Sequence, residues 1–196
     1  MTRRRVLLVS LMALFGCTTL AQTRYYSLSS GSPPPNPANE TPAYRVAIGP
    51  ATVPEALDRM QMVLRIAPNR YAISDTDRWS VPLKREIPRV LAEEVGHRLA
   101  SARVAPYEQH SGQDADYRVL IDVVRLESVP GDSITLEAVW VVRNRSGESL
   151  RETRSVIVDQ VNAPGVAPLV ATQRSALAAL GREIADAVDA LTQAKR

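Results

Sequence analysis

Residues 117–158 read YRVLIDVVRLESVPGDSITLEAVWVVRNRSGESLRETRSVIV and contain three segments rich in apolar and β-branched residues. The first, 117–126, is apolar on both faces apart from three charged residues, which predicts a central strand. The next two, 134–142 and 150–158, alternate in polarity, and Leu150, Val156 and Val158 share one face of the last segment. Because the linkers are short and carry turn residues, the three strands are expected to form an antiparallel meander.

Two long amphipathic helices flank this meander. The first is predicted from an apolar stripe with spacings of 3 and 4 residues, formed by Leu83, Ile87, Val90, Leu91, Val95 and Leu99. Ser80 is its expected N-cap, and Pro88 predicts either a kink or a start nearer Glu86. The second helix is expected over residues 168–194, with a stripe formed by Leu177, Leu180, Ile184, Val188 and Leu191.

The segment before the first helix predicts further strands. Residues 44–48 read as a short strand that ends at Gly49-Pro50, and the apolar runs 62–66 and 71–74 flank a hairpin turn. Together these elements predict an α/β fold in which a single mixed, largely antiparallel β-sheet packs against two long helices. The globular domain is expected to span residues 44–196, because residues 29–43 contain five prolines and are typical of a linker.

The N-terminus has the organisation of an export signal. Arg3, Arg4 and Arg5 precede the apolar stretch 6–15, which is too short to cross a bilayer as a helix. The following Leu14-Phe15-Gly16-Cys17 resembles the lipobox of bacterial lipoproteins, in which the cysteine sulfur receives a diacylglycerol and the signal is cut before the cysteine. We therefore predict a signal peptide over 1–16, lipidation at Cys17, and a lipidated N-terminus with a short strand and a proline-rich linker over 17–43.

The residue that follows the lipidated cysteine bears on the membrane to which the protein is sent. In proteobacterial lipoproteins an aspartate at this position tends to retain the protein at the inner membrane, and here the position is Thr18. By resemblance to that rule, the protein is expected in the outer membrane, facing the periplasm. No cofactor is expected apart from the covalent lipid on Cys17.

Composition excludes several classes of function. The chain carries 24 Lys and Arg against 21 Asp and Glu, and removal of the three signal-peptide arginines leaves 21 basic residues. A formally neutral mature chain gives no support for nucleic-acid binding through bulk charge. The chain has one cysteine and two histidines, His97 and His110, so no metal site is expected.

We also expect no catalytic site. Gly131-Asp132-Ser133 resembles the nucleophile block of some esterases, but no histidine follows His110 to act as a base. The Glu94–His97 spacing of a di-iron helix has no second copy in the chain. The protein is therefore predicted not to be an enzyme.

One polar block has two interpretations. Residues 53–65 join a turn to a strand and carry several specific polar groups. They form a structural corner, in which Asp58 caps backbone amides and pairs with Arg59, or they contact a partner. The candidate partner-binding residues are Asp58, Arg59, Gln61, Arg65 and Trp79.

A family resemblance rests on four segments in order along the chain. These are Tyr25-Tyr26-Ser27-Leu28, the block 53–65, Asp77-Arg78-Trp79-Ser80-Val81-Pro82-Leu83, and Ala115-Asp116-Tyr117-Arg118-Val119. The combination resembles the PqiC/YmbA lipoproteins, the ABC-type transport auxiliary lipoproteins. The departures are Ser80-Val81, where the family more often has a small residue and an acid, and the proline-rich segment before Tyr44.

The resemblance implies a docking component anchored in the outer membrane. Its implied partners are a periplasmic MCE-domain protein and an inner-membrane transporter that moves phospholipids or related lipids between membranes. It also implies that residues 25–28 form a strand, and a ring-like homo-oligomer would suit a tubular partner. The alternatives are an adaptor of another envelope assembly or secretion complex, a hydrolase using Ser133, and a module that holds lipid in an apolar cavity.

Overall fold

The computed structural model describes residues 22–29, 31, 44–100 and 103–194. Cys17, the predicted signal peptide and most of the predicted proline-rich linker lie outside these residues. The described elements are β1 (Arg24–Tyr26), β2 (Val46–Thr52), a 3-10 helix (Glu55–Leu57), β3 (Gln61–Ala67), β4 (Arg70–Trp79), α1 (Leu83–Arg98), β5 (Val104–Pro106), α2 (His110–Gln113), β6 (Tyr117–Val129), β7 (Ser133–Asn144), β8 (Ser149–Gln160) and α3 (Val166–Gln193).

The strands form two sheets rather than the single sheet that the sequence predicted. One has the order β5-β2-β6-β7-β8, and the other has the order β1-β4-β3. The predicted antiparallel meander is confirmed in β6, β7 and β8, and β6 is the central strand. The parallel pairs β2–β5, β2–β6 and β1–β4 make both sheets mixed.

The path of the chain after β2 explains the split. β2 pairs with β6 only from Tyr117 to Asp122, and the chain then turns away through the 3-10 helix. When β3 returns beside the second half of β6, it makes side-chain contacts there, such as that of Arg65 with Glu127. The β3–β4 hairpin therefore takes β1 as its third strand instead of extending the larger sheet.

Both long helices pack on one face of the larger sheet and enclose an aliphatic core. The inward side chains of β7 are buried as predicted, and Trp140 at its centre donates its indole N–H to Ser155 Oγ at 2.9 Å. The helices approach closely at Gly181 of α3, where an added Cβ would lie 2.8 Å from Glu94 Cβ of α1. The close approach explains a glycine in the middle of a 28-residue helix, where it is otherwise unfavourable.

Helix α1 begins at Leu83, and its N-cap is Pro82, not Ser80. Of the two alternatives that Pro88 predicted, a kink or a later start near Glu86, the later start is therefore wrong. Pro88 lies inside the helix and is buried against Gly49, where an added Cβ would lie 3.3 Å from Pro88 Cβ. Gly49 also has φ of 106°, a conformation that favours glycine, and β2 continues beyond it to Thr52.

Strand β8 shows that an alternating pattern alone does not determine which side chains face the core. A bulge after Ser149 shifts the alternation, so Thr153, Ser155 and Ile157 face the helices. Val156 and Val158 consequently point away from the core and are 56% and 58% exposed. Leu150, the extra residue of this bulge, packs partly against the core.

Candidate functional site

The sides of the two sheets that face away from α1 and α3 form one surface, which we call the helix-free face. Large apolar side chains are exposed on it by 48% to 64%: Tyr25, Tyr71, Ile73, Val124, Val156 and Val158. Of the comparably exposed large apolar residues in the described ranges, only Ile66, near the β3–β4 turn, lies elsewhere. An exposed sheet face is ordinarily polar, so this concentration marks the surface as a candidate interface.

An ion cluster lies in the middle of the helix-free face. Glu137 of β7 is 6% exposed and pairs with Arg125 of β6 at 3.2 Å and with Arg154 of β8. Two arginines on one carboxylate leave a net positive charge between Val124 and Val156. Arginine and large apolar groups together are typical of the centre of protein interfaces.

A second polar contact joins the two sheets on the same face. Glu127 of β6 accepts hydrogen bonds from Arg65 Nη1 at 2.8 Å and from the Tyr71 hydroxyl at 2.9 Å. The hydrogen bond to Glu127 raises the pKa of Tyr71 above its ordinary value, with a further contribution from desolvation. The contact holds the β3–β4 hairpin beside β6 and makes the helix-free face continuous across both sheets.

The five sequence-predicted partner residues are distributed over three places. Gln61 and Arg65 lie on β3, at the edge of the helix-free face, and Asp58 and Arg59 lie at the exposed corner after the 3-10 helix. Trp79 ends β4 and is 4% exposed, in the core. The structure thus brings Gln61 and Arg65 together with Tyr71 and Ile73. Whether any of the five binds a partner stays a prediction.

The contacts of Asp58 differ from those that the structural interpretation of the sequence predicted. Asp58 Oδ2 accepts a hydrogen bond at 2.8 Å from Nζ of Lys84, which lies in the first turn of α1. Asp58 does not pair with Arg59. Arg65 also donates to the Pro68 carbonyl at 2.9 Å. Asp58 therefore connects this corner to α1, and Arg65 stabilises the turn of the β3–β4 hairpin.

A small apolar crevice lies between the β3–β4 hairpin and α3, lined by Met62, Trp79 and Leu169 among others. Its space of about 10 Å³ is the room of roughly one water molecule. Gln173 closes one side by donating to Ser128 Oγ at 2.7 Å. The crevice is far too small for an acyl chain and does not support a lipid-holding role.

The N-terminal segment is fixed to the folded domain by two carboxylates. Arg24 of β1 donates twice to Asp77, at 2.8 and 3.1 Å. The fully buried Glu86 of α1 accepts from the Ser27 hydroxyl and from the Leu28 N–H at 3.0 Å. The strand expected at residues 25–28 is present at residues 24–26. This strand and the buried Leu28 therefore join the body of the protein directly to the segment that follows Cys17.

Asp77 gives the N-terminal attachment a defined pH dependence. Burial raises the pKa of Asp77, but hydrogen bonds from Arg24 and Ser74 and the Arg24 charge outweigh burial and bring this pKa below the ordinary 3.8. A carboxylate with a lowered native pKa stabilises the fold above its unfolded-state pKa, and that contribution is lost as the pH falls through the native pKa.

We therefore predict that Asp77→Asn lowers the free energy of unfolding by about 1–2 kcal/mol at neutral pH. The difference from the unsubstituted protein should shrink as the pH falls below about 4. Denaturant unfolding over a pH series measures this, with the exposed neighbour Asp75→Asn as the control. A difference that stays constant down to the lowest pH would contradict the assignment.

The candidate nucleophile lies directly after the turn between β6 and β7. Ser133 begins β7, and its hydroxyl donates to the adjacent Asp132 carboxylate at 2.7 Å. His97 is in the last turn of α1, and His110 is in α2, which contacts β2 and β5. No group of three or more potential metal ligands occurs among the described residues.

Within the described ranges, no helix combines the length and apolarity that crossing a membrane requires.

Sequence reasoning missed the apolar part of the helix-free face and the role of Glu86. The alternation of Val156 and Val158 was visible, but the side to which they point depends on the bulge in β8. The sequence indicated Glu86 only as an alternative start of the first helix. Only the neighbouring β1 shows that it is buried and accepts two hydrogen bonds.

Comparison with known proteins identifies the family. No curated protein matches the sequence. The fold is similar to a crystal structure of an uncharacterized protein, with 15% identity, 85% of this chain and 99% of that chain covered, and a TM-score of 0.70. It is also similar to protein XCC0632 from Xanthomonas campestris, with 17% identity, 82% and 92% coverage, and a TM-score of 0.62. At such identities these structures support the fold alone.

The family model described as ABC-type transport auxiliary lipoprotein component matches residues 26–185. The match begins in β1, includes both sheets and α1, and ends within α3. It confirms the resemblance to the PqiC/YmbA lipoproteins. The chain therefore belongs to the family of ABC-type transport auxiliary lipoprotein components.

Proposed function

We propose that this protein is a subunit of an MCE-type intermembrane lipid transport system, anchored in the outer membrane by the lipid on Cys17. Its periplasmic domain docks onto the MCE-domain protein, which is joined to the inner-membrane transporter. Membership of a transport auxiliary family supports a transporter partner. The lipobox and Thr18 support the outer-membrane anchor.

The proposal rests on one observation: the helices cover only one side of the larger sheet. Helices α1 and α3 bury one face, whereas Val124, Val156 and Val158 remain uncovered around the Arg125–Glu137–Arg154 cluster on the other. Exposed apolar side chains contribute free energy only when another surface removes them from water. The helix-free face is therefore the docking surface, and its occupant is the MCE-domain protein.

The position of the anchor agrees with this assignment. Tyr25 lies on the helix-free face only eight residues after Cys17, so the lipid is at most about 28 Å from that edge of the face. The fixed attachment of β1 through Asp77 and Glu86 leaves only the residues before Arg24 between Cys17 and the folded domain. A partner that reaches the membrane surface meets this edge first.

We predict that Val156→Gln together with Val158→Gln disrupts docking. Glutamine is neutral, so it leaves the adjacent Glu137 ion pairs in place. Burying one valine contributes about 1.5–3 kcal/mol, and each 1.4 kcal/mol changes affinity tenfold. The double variant should therefore retain less than about a tenth of the MCE-domain protein in a mild-detergent pull-down of tagged protein from the envelope.

The matched control places the same change on the helix side of the molecule, at the exposed Ala171 and Ala190 of α3. Ala171→Gln with Ala190→Gln should leave retention of the partner unchanged. Equal retention by both double variants, with unchanged unfolding midpoints, would contradict docking through the helix-free face.

The wild-type pull-down separates this proposal from the adaptor alternative. An MCE-domain protein and its transporter among the retained proteins support the transport function. A different outer-membrane assembly, lost from the Val156/Val158 double variant, would support an adaptor in that assembly. Recovery of this chain alone as a ring-sized complex would assign the face to contacts between copies.

A further inference from the structure

Two arginines face each other at the end of the helix-free face that is far from the β6–β7 turn. Arg118 of β6 and Arg143 of β7 are direct cross-strand partners. Such partners have Cβ atoms about 5 Å apart, and like charges in this arrangement repel. Within residues 22–29, 44–100 and 103–194, neither guanidinium forms an ion pair. The repulsion between the two arginines therefore lowers the free energy of unfolding. An anion bound between the two groups would remove this repulsion.

Tyr107 fixes the orientation of one guanidinium. Arg118 Cζ lies 4.0 Å from the centre of the Tyr107 ring, and the Tyr107 N–H is itself held by the Ile48 carbonyl at 2.9 Å. Stacking covers one face of the guanidinium but leaves its in-plane N–H groups available. Those donors are the ones that bind oxyanions in a bidentate manner.

The arginine pair lines a cleft of about 500 Å³ at this end of the face. Pro50 and Leu120 form its apolar wall. Arg145 also lines the cleft, but its charge is partly compensated, since it donates to the Asp114 carbonyl at 2.9 Å and lies 3.7 Å from the Asp116 carboxylate. Asp114 is also in the lining, and Asp116 lies beside Arg145, so the three arginines leave the cleft with a net positive charge. Its volume is in the range of small-molecule sites.

We propose that Arg118, Arg143 and the Tyr107 platform form a binding site for a phosphate-type oxyanion, a free phosphate or the phosphodiester of a lipid headgroup. Two adjacent guanidinium groups offer more in-plane donors than a single carboxylate can accept. The tetrahedral oxygens of a phosphate can accept from both arginines at once. The inference does not depend on docking to a transporter, because the site is a property of this chain alone.

The test is thermal unfolding of the mature lipoprotein in a neutral detergent during titration with inorganic phosphate, against sodium chloride at matched ionic strength. A ligand that binds the native state raises the unfolding temperature as its concentration rises. Phosphate should stabilise the unsubstituted protein, and Arg118→Gln and Arg143→Gln should each weaken apparent binding by about tenfold or more. The matched control is Arg182→Gln on α3, which should bind phosphate as the unsubstituted protein does.

Two further results keep the test decisive. Without phosphate, Arg143→Gln should unfold at the same temperature as the unsubstituted protein or a higher one, because it relieves the repulsion and the Arg143 side chain forms no ion pair with the described residues. Glycerophosphoglycerol, a headgroup diester without acyl chains, distinguishes the sources: binding at least as tight as that of phosphate identifies a lipid headgroup, and weaker binding identifies free phosphate. No stabilisation by either compound, or equal stabilisation of the Arg118 and Arg143 variants, would overturn the proposal.

Discussion

Replacement of Cys17, the proposed lipidation site, by serine is expected to remove the protein completely from the outer membrane, its proposed location. The thiolate is the nucleophile that takes up the diacylglycerol, and a serine hydroxyl does not replace it. Each buried CH₂ of an acyl chain contributes about 0.8 kcal/mol, so two or more chains anchor a protein stably and their loss leaves no comparable attachment. Fractionation of the envelope should find Cys17→Ser in the soluble fraction or as an unprocessed precursor.

A neighbouring substitution separates anchoring from sorting. Thr18→Asp keeps the cysteine and should still be lipidated, but by the proteobacterial rule it should be retained at the inner membrane. Density-gradient separation of the two membranes measures both variants. Flotation of Cys17→Ser with outer membranes would disprove the anchor, and flotation of Thr18→Asp with outer membranes would contradict the sorting assignment alone.

Removal of the buried carboxylate at Glu86 is expected to detach the N-terminal segment from the domain. Glu86→Ala leaves the Ser27 hydroxyl and the Leu28 N–H without their acceptor in a site from which water is excluded. Lost hydrogen bonds to a charged group, together with the small cavity, should lower the free energy of unfolding by about 3 kcal/mol. Amide hydrogens of residues 24–29 should then exchange with solvent much faster than those of β6 and β7.

Glu86→Gln is the matched control. Its amide oxygen still accepts from Ser27 and Leu28, so it should lose about 1 kcal/mol or less. Denaturant unfolding gives the stabilities, and hydrogen exchange locates the change. If Glu86→Ala is as stable as Glu86→Gln, or if exchange of residues 24–29 is the same in both, Glu86 does not hold the N-terminal segment.

The meander and the two helices follow from local patterns. Short turns after β6 and β7 force adjacent antiparallel pairing, and the stripes of α1 and α3 identify the side that faces the sheet. The division into two sheets does not follow from such patterns, because the periodicity of apolar residues does not determine which strands pair. The parallel pairing of the three-residue β1 with β4 depends on tertiary contacts, which Arg24, Asp77 and Glu86 provide.

The candidate interface was predictable only in part. The sequence indicated the segment of Gln61 and Arg65, but it did not indicate Val156 and Val158, because a bulge determines the side on which they lie. The opposition of Arg118 and Arg143 likewise depends on a register that spans the β6–β7 hairpin. Features that depend on exact strand register require coordinates, whereas features carried by local composition, such as the lipobox, do not.

The most direct measurement of the central claim is site-specific crosslinking in cells. A photo-reactive phenylalanine derivative is placed at Val158 on the helix-free face or at the exposed Arg182 on the opposite, helix side. If the helix-free face docks onto the transport machinery, the MCE-domain protein is crosslinked from position 158 and not from position 182. Crosslinking of that protein from position 182 alone, or its absence from the products at position 158, would contradict the account.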